Sequence, residues 1–462
     1  MHNNVRENHE EVVMLIRFTV ENFRSFDQEV VFSMLPGRAQ KHSDHIVAGK
    51  DHGIDVLRTG LLYGANASGK SNLVRAMAFA RDFIIEGTRP KQAIPVEPFR
   101  LKPARTSEPS RFEFEFMVDQ QAFAYGFVAD RQFVHEEWLY EVTSKNERPL
   151  FERTTNTNGI TQATFGSPLL KEADTQFLAF VARGTRPNQL FLTKAAENNV
   201  TFVSNVYSWF HKSLTIIFPD TQYQGIQVDV HKDQRFTQAL SAFLKTMNTG
   251  IDAVCTNPAD YETIEPLKLI VAELETPSQD EESGEGENKL VVVDGPPGHR
   301  YLLHRNEEGF FEAYSLGTRR RVNGETIDFD LFDESDGTLR LFDLFPILHG
   351  ARKRVFVIDE LERSLHPNLV RRFIQHFLAS DTNNQLIVTT HESTLLDLDL
   401  LRRDEIWFVE KAPNGASTLY SLEEFKPRHD LDIRKGYLHG RFGAIPVFGS
   451  NLLEEVDEKV AV

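Results

Sequence analysis

The sequence predicts an α/β fold with a mixed sheet, an antiparallel β lobe and a short helical insertion. A glycine-rich segment at 64–71 follows the apolar run Leu61-Leu62-Tyr63 and precedes a helical pattern. Two more mainly apolar segments, 354–358 and 385–390, have the pattern of buried strands, and polar residues follow each of them. The segments 111–116 and 122–127 show a period-two pattern, which indicates antiparallel strands.

The glycine-rich segment has the form G-x-x-x-x-G-K-S, the pattern of a phosphate-binding P-loop. Gly64 and Gly69 allow backbone angles that turn successive N–H groups towards phosphates. Lys70 supplies a positive charge to the β- and γ-phosphates, and Ser71 supplies a hydroxyl to Mg²⁺. The helix after the loop would direct its positive N-terminal end at the nucleotide. We therefore expect ATP and Mg²⁺ as cofactors, with nucleotide contacts from Gly64, Asn66, Gly69, Lys70, Ser71 and Asn72.

Two later strand ends carry groups suited to the same chemistry. The segment 354–358 leads into Asp359, which is placed to hold Mg²⁺, and Glu360, which is placed to polarise an attacking water. The segment 385–390 leads into His391, which would contact the γ-phosphate or that water. Each element alone also fits a simpler interpretation, a solvated acidic turn or an ordinary satisfied histidine. Their order after a P-loop favours the catalytic interpretation.

This order resembles that of ABC-type ATPase heads, in particular the SMC- and RecF-like branch. The segment 18–26 is similar to the N-terminal strand and N-F-x-S-[FY] turn of that branch, and 362–367 resembles its D-loop. The segments 401–408 and 437–446 look like the closing segments of bacterial phage-defence ATPases of the PtuA, AriA, RloA and OLD-like groups.

The resemblance implies a composite site, in which a signature segment from a second head caps the nucleotide. Ser335 and Gly337, before a helical pattern at 339–345, are the candidates. The family pattern is closer to S-G-G, whereas Asp336 occupies the middle position here, and a plain helix N-cap is the alternative. For the glutamine that usually links Mg²⁺ to the head, no spacing distinguishes Gln92, Gln120 or Gln121.

The resemblance also implies a function. We expect an ATP-hydrolysing sensor or regulatory subunit of a bacterial anti-phage (abortive infection) system, assembled as a homo-oligomer that is at least a head-to-head dimer. ATP-dependent dimerisation would control a separate effector protein, a nuclease or toxin, because the roughly 70 residues after His391 leave no room for a TOPRIM nuclease. The alternatives are a RecF-like repair ATPase that contacts DNA and a scaffold that binds ATP structurally.

Composition narrows these alternatives. The formal net charge of −17 argues against a generally basic nucleic-acid-coating protein. The basic runs 319–321 and 352–354 fit solvated charges best, and contact with DNA phosphates or with an acidic partner surface is the alternative. The single cysteine, Cys255, excludes an intrachain disulfide and fits the cytoplasm, and we expect it to be a buried small residue. No apolar run approaches ~20 residues, so we expect no membrane association.

The chain divides into three predicted segments. Residues 14–195 form the first half of the head, with the P-loop and the β lobe. Residues 196–316 form an inserted helical and β subdomain with a mobile acidic loop at 275–289. Residues 317–450 form the second half of the head. The helical stretch at 196–250 is too short and irregular for the long coiled coil of SMC proteins.

Overall fold

The structure is a computed structural model that describes residues 12–446 apart from 40, 50–52, 119, 144, 173, 224, 276–289, 296–298, 307, 350–352 and 429–430. The predicted acidic loop therefore lies almost entirely outside the described residues, as does Arg352. The described residues pack as two compact units. The first is drawn from Met1–Pro219, Arg352–Leu361 and Asn383–Val462, and the second from Asp220–Ala351 and Glu362–Thr382. The three-segment division predicted above stays a prediction.

Strands and helices are numbered along the described chain. The strands are β1 (Met14–Glu21), β2 (Val30–Ser33), β3 (Ile46–Val47), β4 (Val56–Leu57), β5 (Thr59–Tyr63), β6 (Ser110–Val118), β7 (Gln121–Ala129), β8 (Val134–Val142), β9 (Glu147–Thr155), β10 (Thr161–Phe165), β11 (Leu214–Ile217), β12 (Ala253–Ala259), β13 (Leu290–Asp294), β14 (Arg300–Arg305), β15 (Phe311–Val322), β16 (Glu325–Asp330), β17 (Val355–Ile358), β18 (Gln385–Thr389), β19 (Ile406–Lys411) and β20 (Ser417–Ser421). The helices are α1 (Lys70–Glu86), α2 (Ser167–Glu172), α3 (Thr175–Gly184), α4 (Phe191–Glu197), α5 (Ser204–Ser208), α6 (Ile226–Lys232), α7 (Gln234–Thr246), α8 (Glu265–Glu275), α9 (Asp336–Leu348), α10 (Pro367–Leu378) and α11 (Ile433–Leu438).

The central sheet of the first unit has the order β11-β17-β18-β5-β19-β20. Its first five strands are parallel neighbours, and β20 is antiparallel to β19. Every residue of β5, β17 and β18 is buried, which explains their mainly apolar sequences. The register pairs Val388 with both Leu61 and Ile358, so the carboxyl ends of these three strands meet at one edge. Ligands of open parallel sheets bind at this edge.

The second sheet of the first unit is the predicted antiparallel lobe. Its order is β10-β9-β8-β7-β6-β1-β2. Along β6 the buried residues alternate with partly exposed ones, and the inward aromatics of this strand build the core. The ring of Phe116 stacks on Trp209 at 4.3 Å, and Phe114 packs on Phe18 at 4.7 Å between centroids. The mixed sheet and antiparallel lobe predicted from the sequence are thus confirmed.

The second unit contains a separate antiparallel sheet and helices α6 to α10. The sheet has the order β12-β15-β14-β13, with β16 paired to β15. One small core joins α8 to this sheet through Leu267, Val271, Val293, Tyr301, Leu303 and Ala313. The longest helices of this unit, α7 and α9, have 13 residues each, so its described part holds no long coiled coil, as predicted.

Two local features differ from the sequence interpretation. The stretch predicted as helical contains β11, whose threonine and two isoleucines favour extended backbone and which pairs with β17 at the sheet edge. Cys255 was expected to be buried, but it is only partly buried on β12.

The basic run on β15 is partly neutralised, because Arg319 pairs with Asp328 and Arg320 pairs with Glu334, each at under 3 Å.

Candidate functional site

The P-loop connects the end of β5 to the start of α1, and its two glycines are required by close packing. A Cβ on Gly64 would collide with the carbonyl oxygen of Val409, which belongs to the neighbouring strand β19. Gly69 has a φ of +114°, and a Cβ there would lie 2.8 Å from Ser25 Oγ. The loop therefore folds against its neighbours as the sequence pattern requires, with backbone N–H groups free of side-chain bulk.

Lys70 lies within the loop and is almost fully buried. Its Nζ donates to the carbonyl oxygens of Gly64 at 2.9 Å and Ala65 at 3.2 Å. The same atom lies 2.9 Å from Nε2 of His391, the residue at the end of β18. The structure thus brings together two predicted site residues that are separated by more than three hundred positions. A charged ammonium donates here, so Nε2 accepts and the ring proton of His391 is on Nδ1.

Ser71 and Asp359 form the predicted Mg²⁺ pair. The Ser71 hydroxyl donates to Oδ1 of Asp359 at 3.0 Å, and the Thr389 hydroxyl donates to the same oxygen at 2.6 Å. A hydroxyl and a carboxylate are the hard oxygen ligands that Mg²⁺ prefers, so the residues present fit the ion. Sequence reasoning missed Thr389, although its position at the end of a buried strand beside His391 was a usable signal.

Glu360 follows Asp359 but projects differently. It has a φ of +51°, a left-handed conformation that glutamate rarely adopts. Its backbone N–H donates to Oγ1 of Thr389 at 2.9 Å, which fixes the turn. The carboxylate of Asp359 is therefore buried below the P-loop, whereas the side chain of Glu360 is exposed and lines the cavity described next.

A cavity of about 750 Å³ lies over the P-loop, within the size range of small-molecule sites. Seven of the predicted residues line it: Asn66, Gly69, Lys70, Ser71, Asn72, Glu360 and His391. Arg24, Lys70, Arg100 and Lys411 give it four cationic side chains, against the carboxylates of Glu97 and Glu360. The cavity is thus locally basic in a chain whose formal net charge is −17, which suits an anionic ligand.

Several lining residues were not predicted from the sequence. They are Arg24, Ser25, Glu97, Pro98, Phe99, Arg100, Leu101, Lys411 and Gly415, together with the loop residues Ala67 and Ser68. Arg24 and Ser25 lie in the segment 18–26, which resembles the N-F-x-S-[FY] turn of SMC- and RecF-like heads. Ser25 Oγ accepts a hydrogen bond from Asn72 Nδ2 at 2.9 Å, so the turn supports the start of α1 directly.

The turn is held in place by Asn22, which is fully buried in the left-handed conformation. Its Nδ2 donates to the carbonyl oxygens of Arg105 and Glu108, each at 2.9 Å, and its Oδ1 accepts from the N–H of Phe99 at 3.1 Å. Nearby, Arg24 donates to Glu97 Oε1 at 2.6 Å. One asparagine therefore connects the turn to the distant segment that forms the far wall of the cavity.

Ser335 and Gly337 lie in the second unit, at the start of α9. Ser335 is the N-cap residue, and its Oγ accepts from the N–H of Thr338 at 3.3 Å. A Cβ on Gly337 would approach the carbonyl oxygen of Ser364 to 2.7 Å, so this glycine permits close packing of the D-loop-like segment. Their role towards a nucleotide stays a prediction. None of Gln92, Gln120 and Gln121 is among the described residues that line the P-loop cavity.

Comparison with known families shows which family this chain belongs to. A family model described as "AAA domain, putative AbiEii toxin, Type IV TA system" matches residues 61–397, which span the P-loop, the Asp359–Glu360 pair and His391. The chain belongs to this AAA domain family. It is an ATPase-type domain by membership, as the sequence resemblance to SMC- and ABC-like heads implied; the phage-defence subgroup stays a prediction.

Solved structures similar to this AAA domain are SMC heads. The SMC head domain from Thermotoga maritima is 14% identical, with a TM-score of 0.36, and the match covers 88% of this chain and 98% of that one. The SMC head domain of Pyrococcus furiosus, bound to the C-terminal domain of ScpA, is 13% identical with a TM-score of 0.35, covering 90% and 100%. A search of curated proteins found no significant match. No helix in the described part of the chain is long and apolar enough to cross a membrane.

Proposed function

We propose that this AAA domain binds and hydrolyses ATP in the P-loop cavity. The observation that carries the proposal is the convergence of Lys70, Ser71, Asp359, Glu360 and His391 from the ends of three adjacent parallel strands. When nucleotide binds, the Lys70 ammonium would redirect its hydrogen bonds from the carbonyl oxygens of Gly64 and Ala65 to the phosphates. Ser71 and Asp359 would hold Mg²⁺, which would supply positive charge against the phosphates.

Glu360 is the proposed general base. Its side chain is exposed to the cavity, whereas the neighbouring Asp359 is committed to hydrogen bonds with Ser71 and Thr389. Two adjacent carboxylates thereby take different roles, one holding the ion and one orienting water. His391, whose Nε2 contacts Lys70 Nζ, would bind the γ-phosphate or the attacking water.

We further propose that two chains meet head to head and that Ser335 and Gly337 of one chain cap the nucleotide of the other. The support is the N-cap geometry of Ser335 at the start of the 13-residue helix α9, whose positive end suits a phosphate. Asp336 is the first residue of that helix, so its carboxylate must point away from the phosphate for this role.

Glu360→Gln is the decisive variant. It keeps the shape of the side chain and removes the base, so ATP binding should persist while turnover falls by a factor of about 10² to 10⁴. Fluorescent-nucleotide titration, phosphate release and light scattering with and without ATP measure binding, turnover and dimerisation. Exposed Glu410→Gln serves as the matched control. Turnover of Glu360→Gln at the wild-type rate would refute the assignment of the base.

At the cellular level we propose a sensor or regulatory role in bacterial anti-phage defence, with a separate effector. This step is supported by the resemblance of the closing segments and by the family described above. Capture of Glu360→Gln from cells that carry the native gene neighbourhood tests it, read by mass spectrometry and a nucleic-acid assay. A stoichiometric small protein with nuclease or toxin activity is the expected result. Recovery of DNA without a protein partner would instead favour the repair role.

A further inference from the structure

A compact group of histidine and carboxylate side chains lies in the first unit, away from the P-loop. It is centred on the single 3₁₀ turn Ser43–His45, preceded by His42. The carbonyl oxygen of His45 accepts from the N–H of Arg58, just before β5, and Glu405 immediately precedes β19. The group thus lies at the amino ends of β5 and β19, whereas the P-loop leaves the carboxyl end of β5. A strand of five residues spans roughly 17 Å, so the two sites are separate.

The three side chains present a donor set for a metal ion. One ring nitrogen of His42, one of His45 and one carboxylate oxygen of Asp44 all lie within 4.8 Å of one another. His45 Nε2 is 4.0 Å from Asp44 Oδ2. Two imidazole nitrogens and one carboxylate oxygen match the ligands of three-residue zinc sites, which keep a fourth position for water.

Hydrogen bonds to the opposite ring nitrogens fix which nitrogen of each ring is available. Nδ1 of His45 lies 3.0 Å and 3.1 Å from the two carboxylate oxygens of Glu405, which is fully buried. Nε2 of His42 lies 3.0 Å from the carbonyl oxygen of Leu398, which can only accept. The carbonyl partner requires the proton of His42 on Nε2 and leaves a lone pair on Nδ1, and an ionised Glu405 would leave Nε2 of His45 available in the same way. Metal-binding histidines are oriented in this way by carboxylates and backbone carbonyls.

We propose that His42, Asp44 and His45 form a binding site for a divalent transition metal ion of the zinc class, with Glu405 orienting His45. The ion would join the segment before β3 to the start of β19. Because the unfolded chain lacks this arrangement, ion binding should stabilise the fold.

The stacked arrangement of the His42 and His45 rings limits the affinity of this site for the ion. Their centroids are 4.9 Å apart and their planes differ by 18°, whereas an ion lies close to the plane of each imidazole that binds it. One ring must therefore turn. His45 is buried and held by Glu405, whereas His42 is partly exposed, so His42 is the ring that moves, and its hydrogen bond to the carbonyl oxygen of Leu398 must be given up or remade as it turns. Ion binding that includes this movement should have micromolar rather than nanomolar dissociation constants.

The test uses the full chain with Asp359→Asn, which removes the nucleotide-site carboxylate. Zn²⁺ titration calorimetry, Co²⁺ absorption and the melting temperature are measured. One equivalent of ion, a four-coordinate Co²⁺ spectrum and a Zn²⁺-dependent rise in melting temperature are expected. Adding His42→Ala or Asp44→Asn should weaken affinity at least tenfold, and adding His439→Ala, which removes an exposed histidine at the end of α11, should not.

His42 and Asp44 are chosen because they are partly and fully exposed, so their replacement leaves the core intact. Absence of bound Zn²⁺ in the Asp359→Asn chain would overturn the proposal. Affinities in the His42→Ala and Asp44→Asn chains that equal the affinity of the Asp359→Asn parent would overturn it as well, because the ion would then bind elsewhere. Neither result bears on ATP turnover, which is measured with Asp359 intact.

Discussion

Glu360 shows how one strained residue can separate two adjacent carboxylates. Its left-handed backbone costs on the order of 1–3 kcal/mol for a residue other than glycine. Thr389 stabilises the turn twice, because its hydroxyl accepts from the N–H of Glu360 at 2.9 Å and its carbonyl accepts from that of Leu361 at 3.1 Å. The same hydroxyl donates to Asp359. A single threonine on the neighbouring strand thus directs one carboxylate inward and the other towards the cavity.

Gly337 gives the sharpest prediction for a single residue. Gly337→Ala places a methyl group 2.7 Å from the carbonyl oxygen of Ser364, a backbone atom that cannot rotate away. We expect a loss of about 1–3 kcal/mol in the free energy of unfolding. Gly184→Ala is the matched control, since a Cβ there meets nothing within 4 Å and alanine is the better helix former. Thermal melting compares the two, and equal melting temperatures would contradict the close approach.

Among the elements, those with strong local patterns could be predicted from the sequence. The buried runs of β5, β17 and β18 and the alternation of β6 identified the sheet, the lobe and most of the phosphate end of the site. The strand β11 was missed because four residues between helical segments carry little periodicity. The wall formed by Phe99, Arg100 and Leu101 was missed because the long-range hydrogen bonds of Asn22 hold the chain there, and no local pattern records such bonds.

A cluster of charges fixes the segment next to that wall and predicts a pH dependence. Arg105 donates to Asp27 Oδ1 at 2.7 Å and to Glu21 Oε1 at 2.9 Å, and its guanidinium lowers the pKa of Asp27. Arg105→Gln should reduce the free energy of unfolding at pH 7 by about 1–2 kcal/mol. Because the pKa of Asp27 is lower in the folded chain than in the unfolded chain, the ionised carboxylate stabilises the fold above the unfolded-state pKa of about 4. This stabilisation is lost as the pH falls through the folded-state pKa.

The difference in the free energy of unfolding between wild type and Arg105→Gln should therefore reach its maximum at pH 7 and shrink below about pH 4. Urea unfolding at several pH values measures it. Arg17→Gln is the control, because Arg17 on β1 pairs with Glu115 on the neighbouring strand β6, but its side chain is 40% exposed. Exposed pairs contribute little, so that variant should be near wild type at every pH. Equal stability of all three chains at pH 7 would contradict a role for the cluster.

For the whole molecule, the distribution of charged residues indicates the kind of ligand better than the net charge does. The chain carries 68 acidic and 51 basic residues, yet the described residues that line the P-loop cavity include four cationic side chains and two carboxylates. An acidic molecule with a basic cavity attracts small anions there and repels extended polyanions elsewhere. This pattern fits a nucleotide switch better than a protein that coats DNA.

The proposed composite site predicts complementation between two inactive chains. Lys70→Ala disables the P-loop and Ser335→Arg blocks the signature, so each homodimer should be inactive. Co-expressed, half of the dimers pair one of each, and each mixed dimer keeps one intact site, which gives about one quarter of wild-type turnover. Lys70→Ala with Glu360→Gln is the matched control, because both changes disable the site of their own chain and mixing restores nothing. If the first mixture stays as inactive as the control, Ser335 does not act on the nucleotide of a second chain, and dimerisation must serve another purpose.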